Sequence, residues 1–146
     1  MYTNQKPSEG LGLLGTIDPV SQAPGGITTG WVDQSAYFAL LAVINVGVFG
    51  ASATVDAKLQ QATDAIGTGA KDITGKAVTQ LLAAGGNNRQ AMINAKEADM
   101  DTEGGFRYAR LSITVGTAAT LISAQLFGGI PRFMPAANQN GVAQVI

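Results

Sequence analysis

The sequence predicts an all-β protein, an antiparallel β-sandwich that is jelly-roll-like or immunoglobulin-like, with an extended N-terminal arm and an extended C-terminal tail. From Ser35 onward, β-branched and apolar segments are separated by turn residues about every ten positions, which is typical of strands in sandwiches and barrels. Several segments alternate between apolar and polar residues, as a strand does when one face meets a core. Both chain ends lack this periodicity.

The pattern divides the chain into an arm (residues 1–33), a β-sandwich domain (34–128) and a tail (129–146). Proline and glycine clusters such as Gln22-Ala23-Pro24-Gly25-Gly26 indicate extended structure in the arm. A disordered arm is the simpler interpretation, but its apolar content is high for a solvated linker. We therefore expect the arm to order against a neighbouring subunit.

The sandwich domain contains six predicted strands. The stretch 77–84 is also compatible with a short helix, and the last two strands, joined by Gly116-Thr117-Ala118-Ala119, are expected to form a hairpin. The predicted strands are 37–48, 54–63, 73–82, 90–98, 106–115 and 120–127.

Alternation predicts which residues of these strands face the core. The first strand differs from the others because it is apolar on both faces, with Leu40 and Ile44 on one side and Leu41 and Val43 on the other. A strand of this kind has a core on one side and another covering on the other, either the arm or a partner. The inward residues predicted for the alternating strands are Val55, Ala57, Leu59, Ala91, Ile93, Ala95, Ala109, Leu111, Ile113 and Val115.

The composition argues against an enzyme. The chain has no cysteine and no histidine, which excludes thiolate nucleophiles, Cys/His zinc sites and a Ser-His-Asp relay. Only 13% of the residues are charged while 46% are hydrophobic, so few groups are available for a reactive cleft. We expect a structural protein without catalytic residues or a cofactor.

The charge pattern narrows the possible partners. The net charge is −1 and no basic block could neutralise a run of phosphates, so a nucleic-acid partner is not expected. The most apolar stretch, residues 37–49, is shorter than the roughly 20 residues of a spanning helix, so a membrane partner is not expected either. The N-terminus lacks the pattern of a secretory signal, which predicts synthesis in a cytosol. Low net charge favours association between copies.

Two motifs weakly suggest a binding site, one for a dinucleotide and one for calcium. Gly10-Leu11-Gly12-Leu13-Leu14-Gly15 has the letters of a dinucleotide-binding loop, but it neither follows a predicted strand nor opens a helix. Asp99, Asp101 and Glu103 resemble the start of a calcium loop, yet Arg107 and Arg110 stand where later ligands belong. An acidic turn balanced by these arginines is the better interpretation.

Large apolar residues near the two ends of the sandwich are candidate interface anchors, and the aromatic ones are the strongest, because large buried rings dominate interface energetics. Core packing is the alternative role for each of them. The interface candidates are Leu11, Leu13, Leu14, Ile17, Trp31, Tyr37, Leu41, Phe127 and Phe133.

Three runs of the chain, residues 55–64, 71–81 and 106–115, resemble small structural proteins encoded near the capsid genes of tailed bacteriophages. The resemblance covers about Trp31 to Phe127. It lies in the pattern of strand and turn segments and not in a reactive motif. It implies a capsid decoration or cement protein, commonly a β-sandwich trimer. The implied partners are the major capsid protein and further copies of the chain. The implied location is the surface of a virion assembled in the cytoplasm of a bacterial host.

Two other functions are compatible with the sequence. A head–tail connector or tail component belongs to the same class of virion proteins. A carbohydrate-binding β-sandwich is a different class, and Tyr37 and Tyr108 are its candidate platform residues. Such a module needs exposed aromatics beside amides, of which the sequence shows few.

Overall fold

A computed structural model of the chain describes residues 4–146, in which two antiparallel β-sheets pack face to face. Three 3₁₀ turns, Gln34–Ala36, Ala83–Gly85 and Glu97–Asp99, connect strands. The helix and strands are α1 (Pro7–Gly10), β1 (Leu11–Gln22), β2 (Gly25–Thr28), β3 (Val32–Asp33), β4 (Tyr37–Val46), β5 (Thr54–Ala62), β6 (Lys71–Ala77), β7 (Leu81–Leu82), β8 (Arg89–Lys96), β9 (Tyr108–Gly116) and β10 (Thr120–Pro131).

The strand order identifies the type of sandwich. Sheet A has the order β1-β10-β4-β8 and sheet B the order β2-β9-β5-β6, with short β3 on β9 and short β7 on β5. The chain crosses repeatedly between the two sheets, and the first long strand pairs with the last. This is the eight-stranded jelly roll of two Greek keys, so the predicted all-β antiparallel sandwich is confirmed, in its jelly-roll form.

The predicted hairpin between the last two strands is wrong. Strand β9 lies in sheet B between β2 and β5, whereas β10 lies in sheet A between β1 and β4. The turn at residues 116–119 therefore carries the chain from one sheet to the other. This crossing lets both strands bury an apolar face in the same core from opposite sides. The alternative helix over 77–84 is also absent: β6 ends at Ala77 and β7 follows.

The predicted arm is extended, and it is ordered by pairing with strands of its own chain. Strand β1 runs along β10 from the pair Leu11 and Gly129 to the pair Gln22 and Thr120, and β2 pairs with β9. The pairing of β1 with β10 shifts its register near Leu14 and again before Val20. The second shift accommodates Pro19, which cannot donate a backbone hydrogen bond to a regular ladder. The sandwich thus begins at Leu11 and ends at Pro131; residues 1–3 of the predicted arm lie outside the described residues.

The C-terminal segment, residues 132–146, has no regular structure and lies along the start of β1. The Gln139 backbone N–H donates to the Leu13 carbonyl at 2.8 Å, and the Leu13 N–H donates to the Asn138 side chain at 2.8 Å. The Tyr37 hydroxyl donates to the Ala137 carbonyl at 2.7 Å. These bonds satisfy part of the free edge of β1, which would otherwise be open to pairing with another chain.

The core lies between the sheets and is built from the inward residue of each alternating pair. Leu59, Leu111, Ile113 and Leu126 are fully buried. The inward faces predicted for β5 and β9 are buried along their whole length. In β8, Ile93 and Ala95 are buried and Ala91 packs partly against the core, as predicted.

Candidate interaction surface

The outer side of sheet A, called here the sheet A face, is built by side chains that point away from the core. In β4 the residues Leu40, Ala42 and Ile44 are buried, so Leu41 and Val43 point outward. Strand register places Leu41 beside Phe127, and Val43 beside Met92. The larger apolar residues of the face come from four strands and form one continuous patch: Leu11, Leu13, Leu41, Val43, Met92 and Phe127.

Uncharged amides surround this apolar patch. Gln125 pairs across the strands with Val43, and its side-chain oxygen lies 3.5 Å from the Asn45 side-chain nitrogen. Gln90 and Asn94 continue the amide rows on β8. Among the described residues whose register places them on this face, only Lys96, at its border, carries a formal charge.

The outer side of sheet B has the opposite character. The Lys58 ammonium lies 2.8 Å from Asp72, which also accepts from Gln60 at 2.9 Å. Arg110 donates to Gln60 at 2.9 Å and stacks at 4.4 Å over the ring of Trp31. These charged and polar groups are satisfied by one another, as on an ordinary solvated surface. The sheet A face is therefore the unusual side of the sandwich and the candidate interaction surface.

We expect acid to lower the stability of the protein by weakening the hydrogen bonds that Asp72 accepts on the outer side of sheet B. A variant can isolate the contribution of Asp72. Hydrogen bonds from Lys58 and then Gln60 hold the pKa of the Asp72 carboxyl below its ordinary value of 3.8. A lowered folded pKa adds stability above the unfolded pKa, and this stability is lost as the pH falls through the folded pKa. Because the pair is exposed, we expect less than about 1 kcal/mol.

The measurement is the free energy of unfolding in urea between about pH 5 and pH 2. Asp72→Asn should lose less stability on acidification than the unmodified chain. Asp18→Asn is the matched control, because Asp18 is exposed and forms no ion pair with the described residues. Identical pH profiles for Asp72→Asn and the unmodified chain would contradict the prediction.

The predicted interface candidates divide between the outer face and the core. The structure brings Leu11, Leu13, Leu41 and Phe127 together on the sheet A face, although they come from three distant parts of the sequence. Val43 and Met92 belong to the same patch and were missed. The signal for Val43 was present in the double apolar pattern of β4.

Four other candidates are engaged within the chain. Ile17 and Tyr37 are buried, and Leu14 packs partly against the core, so these three take the alternative role of packing within their own chain. Trp31 is flanked by the Arg110 guanidinium and lies close to Gly67. The burial of Leu14 and Ile17 follows from β1 being a strand of the sandwich, whose inward residues meet the core.

The carbohydrate platform suggested by Tyr37 and Tyr108 is not formed. Tyr37 is buried and its hydroxyl donates to Ala137. Tyr108 is half-buried, with the Arg107 guanidinium 5.4 Å from its ring centre. Neither ring is presented as an open face for stacking on a sugar.

Two carboxylates of the acidic run at residues 99–103 are paired with lysines. The predicted balance by Arg107 and Arg110 is wrong, because Arg107 pairs with Asp33 and Arg110 donates to Gln60. Asp99 lies 3.1 Å from the Lys76 ammonium, and Asp101 lies 2.6 Å from that of Lys71. Asp101 also accepts from the Gly104 backbone N–H at 2.9 Å, which makes it the cap of the turn. Within residues 4–146, no group of three or more acidic side chains is placed to hold a metal ion. In the same range no helix is long and apolar enough to cross a membrane.

The strand order defines the class of the protein as a jelly-roll β-sandwich. Its sheet A face is poor in charge. No protein-family model matches the chain, and no curated protein matches it. Solved structures similar to it include chains of plant virus particles and a xylan-binding module.

A chain of the Broad Bean Stain Virus particle is 12% identical with a TM-score of 0.43, over 93% of this chain and 97% of that chain. A chain of the empty Cowpea Mosaic Virus particle is 8% identical with a TM-score of 0.39, over 93% and 90%. The xylan-binding module is 11% identical with a TM-score of 0.41, over 88% and 96%.

Proposed function

We propose that this chain is a virion structural protein that binds the outer surface of a tailed-phage capsid and stabilises it, as a decoration or cement protein. The observation that carries the proposal is the sheet A face, an apolar and amide-rich surface on which the described residues placed by strand register include one charge, Lys96, at the border. The proposed occupant of this face is the major capsid protein. The sequence resemblance to phage structural proteins supports the same role.

Charge depletion is the property that separates the centre of a protein interface from ordinary surface. On the sheet A face, Leu41 and Phe127 lie at the centre and Asn45, Gln90 and Asn94 lie around them. Apolar contacts at the centre can be desolvated without leaving a charge unpaired, and amides at the rim can exchange water for hydrogen bonds with a partner. Sheet B, with its satisfied ion pairs, would then face solvent.

The size of the face explains why a cement protein would act in many copies. Four strands spaced about 4.8 Å apart, each contributing about eight residues of about 3.3 Å, give a flat area of about 500 Å². A standard stable interface buries about 800 Å² on each partner. One face alone gives weak binding, whereas linked copies bind a shell through multivalency.

The test is co-sedimentation of the full chain with phage heads that lack it, comparing a charge introduced on each side of the sandwich. Met92→Glu places a carboxylate on the sheet A face, and Thr114→Glu places one on sheet B; both positions are exposed, so folding should be retained. Burying an unpaired charge costs several kcal/mol, so Met92→Glu should weaken binding at least about tenfold.

Thr114→Glu should bind heads as the unmodified chain does. Equal binding by both variants would exclude the sheet A face as the contact. Failure of the unmodified chain to bind heads would contradict the decoration role. Binding to isolated tails or connectors instead would assign the protein to the other group of virion components.

A further inference from the structure

Exposed apolar side chains cluster where β10 ends. Ile130 is 65% exposed, Phe133 84% and Met134 51%, and Phe38 lies in the same region at 42%. Single exposed apolar residues are common, but a cluster of large ones marks a contact site. We call residues 130–134 the knob.

The knob is held in place by its own backbone and side-chain contacts. The Arg132 N–H donates to the Ala36 carbonyl at 2.8 Å, and its guanidinium donates to the Ser35 carbonyl at 2.6 Å and to Glu97 at 2.8 Å. The same guanidinium stacks 4.0 Å over the ring of Phe38. A solvated loop needs no such framework, so the exposed rings are presented in a fixed position.

Backbone strain in the knob also indicates a contact site. Ile130 has a φ of 51°, in the left-handed region that β-branched residues rarely adopt. Such a conformation costs of order 1–3 kcal/mol and occurs mainly at sites with a functional role. Here it accompanies a side chain that stays exposed.

An apolar groove lies at the opposite end of the same sheet. It has a volume of about 380 Å³ and is open to solvent. Val20 and Leu121, 38% and 46% exposed, line it together with Asn45, Asn88 and Gln90. None of its described lining residues is charged.

The knob and the groove match in size and charge. A cavity of about 150 Å³ accepts a benzene ring, so the groove has room for the Phe133 ring and a neighbouring side chain. The charge of Arg132 is already paired with Glu97, so docking would bury no free charge from the knob. The groove amides can bond the backbone beside Phe133.

The knob cannot fill the groove of its own chain. Leu121 and Ile130 are nine residues apart on β10, a separation of about 30 Å at about 3.4 Å per residue. A surface projection and a complementary pocket at opposite ends of one molecule produce a head-to-tail contact between copies, which closes into a ring or continues as a fibre.

We propose that the knob of one copy, with Phe133 at its tip, inserts into the groove of a second copy lined by Val20 and Leu121. The partner is thus another molecule of this chain. The inference goes beyond the proposed function, because it concerns contact between copies. The groove shares Asn45 and Gln90 with the rim of the sheet A face, whereas Val20 and Leu121 lie beyond its apolar patch. The knob contact also supplies the linkage between copies that multivalent binding requires.

The test is the mass of the purified full chain in solution, measured by light scattering at concentrations up to about 200 µM, a range that detects micromolar association. The unmodified chain should associate. Phe133→Ser and Leu121→Lys should each weaken association at least tenfold. Ile66→Ser is the matched control, because Ile66 is 87% exposed and belongs to neither the knob nor the lining of the groove.

Mixing the two variants gives the sharper result. The Phe133→Ser chain keeps an intact groove and the Leu121→Lys chain keeps an intact knob, so an equimolar mixture should form dimers although each alone is monomeric. Urea unfolding of each variant checks that it is folded; Val20→Lys replaces Leu121→Lys if that variant is not.

Three outcomes would overturn the inference: a monomeric unmodified chain, normal association of Phe133→Ser, or a mixture that stays monomeric. A monomer that still binds phage heads would remove the knob contact and leave the proposed function standing. An oligomer that does not bind phage heads would contradict the proposed function and leave the knob contact standing.

Discussion

Leu126→Ala is expected to lower the free energy of unfolding by about 2–5 kcal/mol, a large part of the stability of a domain of this size. Leu126 lies in the middle of β10, a central strand of sheet A, and its side chain is fully buried between the sheets. Truncation removes apolar contact area and leaves a cavity that the two rigid sheets cannot close. Urea denaturation followed by circular dichroism measures the change.

The matched control makes the same chemical change at an exposed leucine. Leu82 in β7 is 47% exposed, so Leu82→Ala should cost no more than about 1 kcal/mol. A large difference between the two variants identifies the loss with burial in the core. Equal losses at both positions would mean that the interior between the sheets is not the main source of stability.

Gly12→Ala is expected to destabilise the protein by about 1–3 kcal/mol and to release the C-terminal segment from β1. A methyl group at Gly12 would lie 2.7 Å from the Tyr37 hydroxyl oxygen and closer still to the Ala137 carbonyl oxygen. Both atoms form one of the three hydrogen bonds that fasten this segment, so the methyl group cannot be accommodated without breaking that bond. This close approach explains Gly12, one glycine of the loop-like motif, without a nucleotide.

Limited trypsin digestion should show the release, with faster cleavage after Arg132 in Gly12→Ala than in the unmodified chain. Gly30→Ala is the control, because a methyl group there meets no atom within 4 Å. Urea unfolding completes the comparison. A Gly12→Ala protein with unchanged stability and unchanged cleavage would show that the C-terminal segment does not pack tightly on β1.

The outcome at particular residues shows how far local pattern predicts this fold. The alternation in β5 and β9 placed Val55, Leu59 and Leu111 correctly, because side chains in a strand alternate whatever the strand pairs with. The apolar pattern on both sides of β4 predicted a second covered face, and the sheet A face with Leu41 lies there. The sequence pattern did not predict strand β1 within the arm, because Pro19 and the glycines interrupt the alternation and the strand pairs through register shifts.

The sequence by itself determined the class of fold, the buried side of most strands and the exclusion of thiol and imidazole chemistry, since these depend on local periodicity and composition. Only the tertiary structure decided that β1 pairs with β10, that Leu13, Phe127 and Leu41 form one row, and that the knob and the groove lie at opposite ends of a sheet. The physical reason is that strand pairing is chosen by the burial and hydrogen bonding of the whole chain, which joins residues 76 to 118 positions apart, whereas alternation is a property of neighbours.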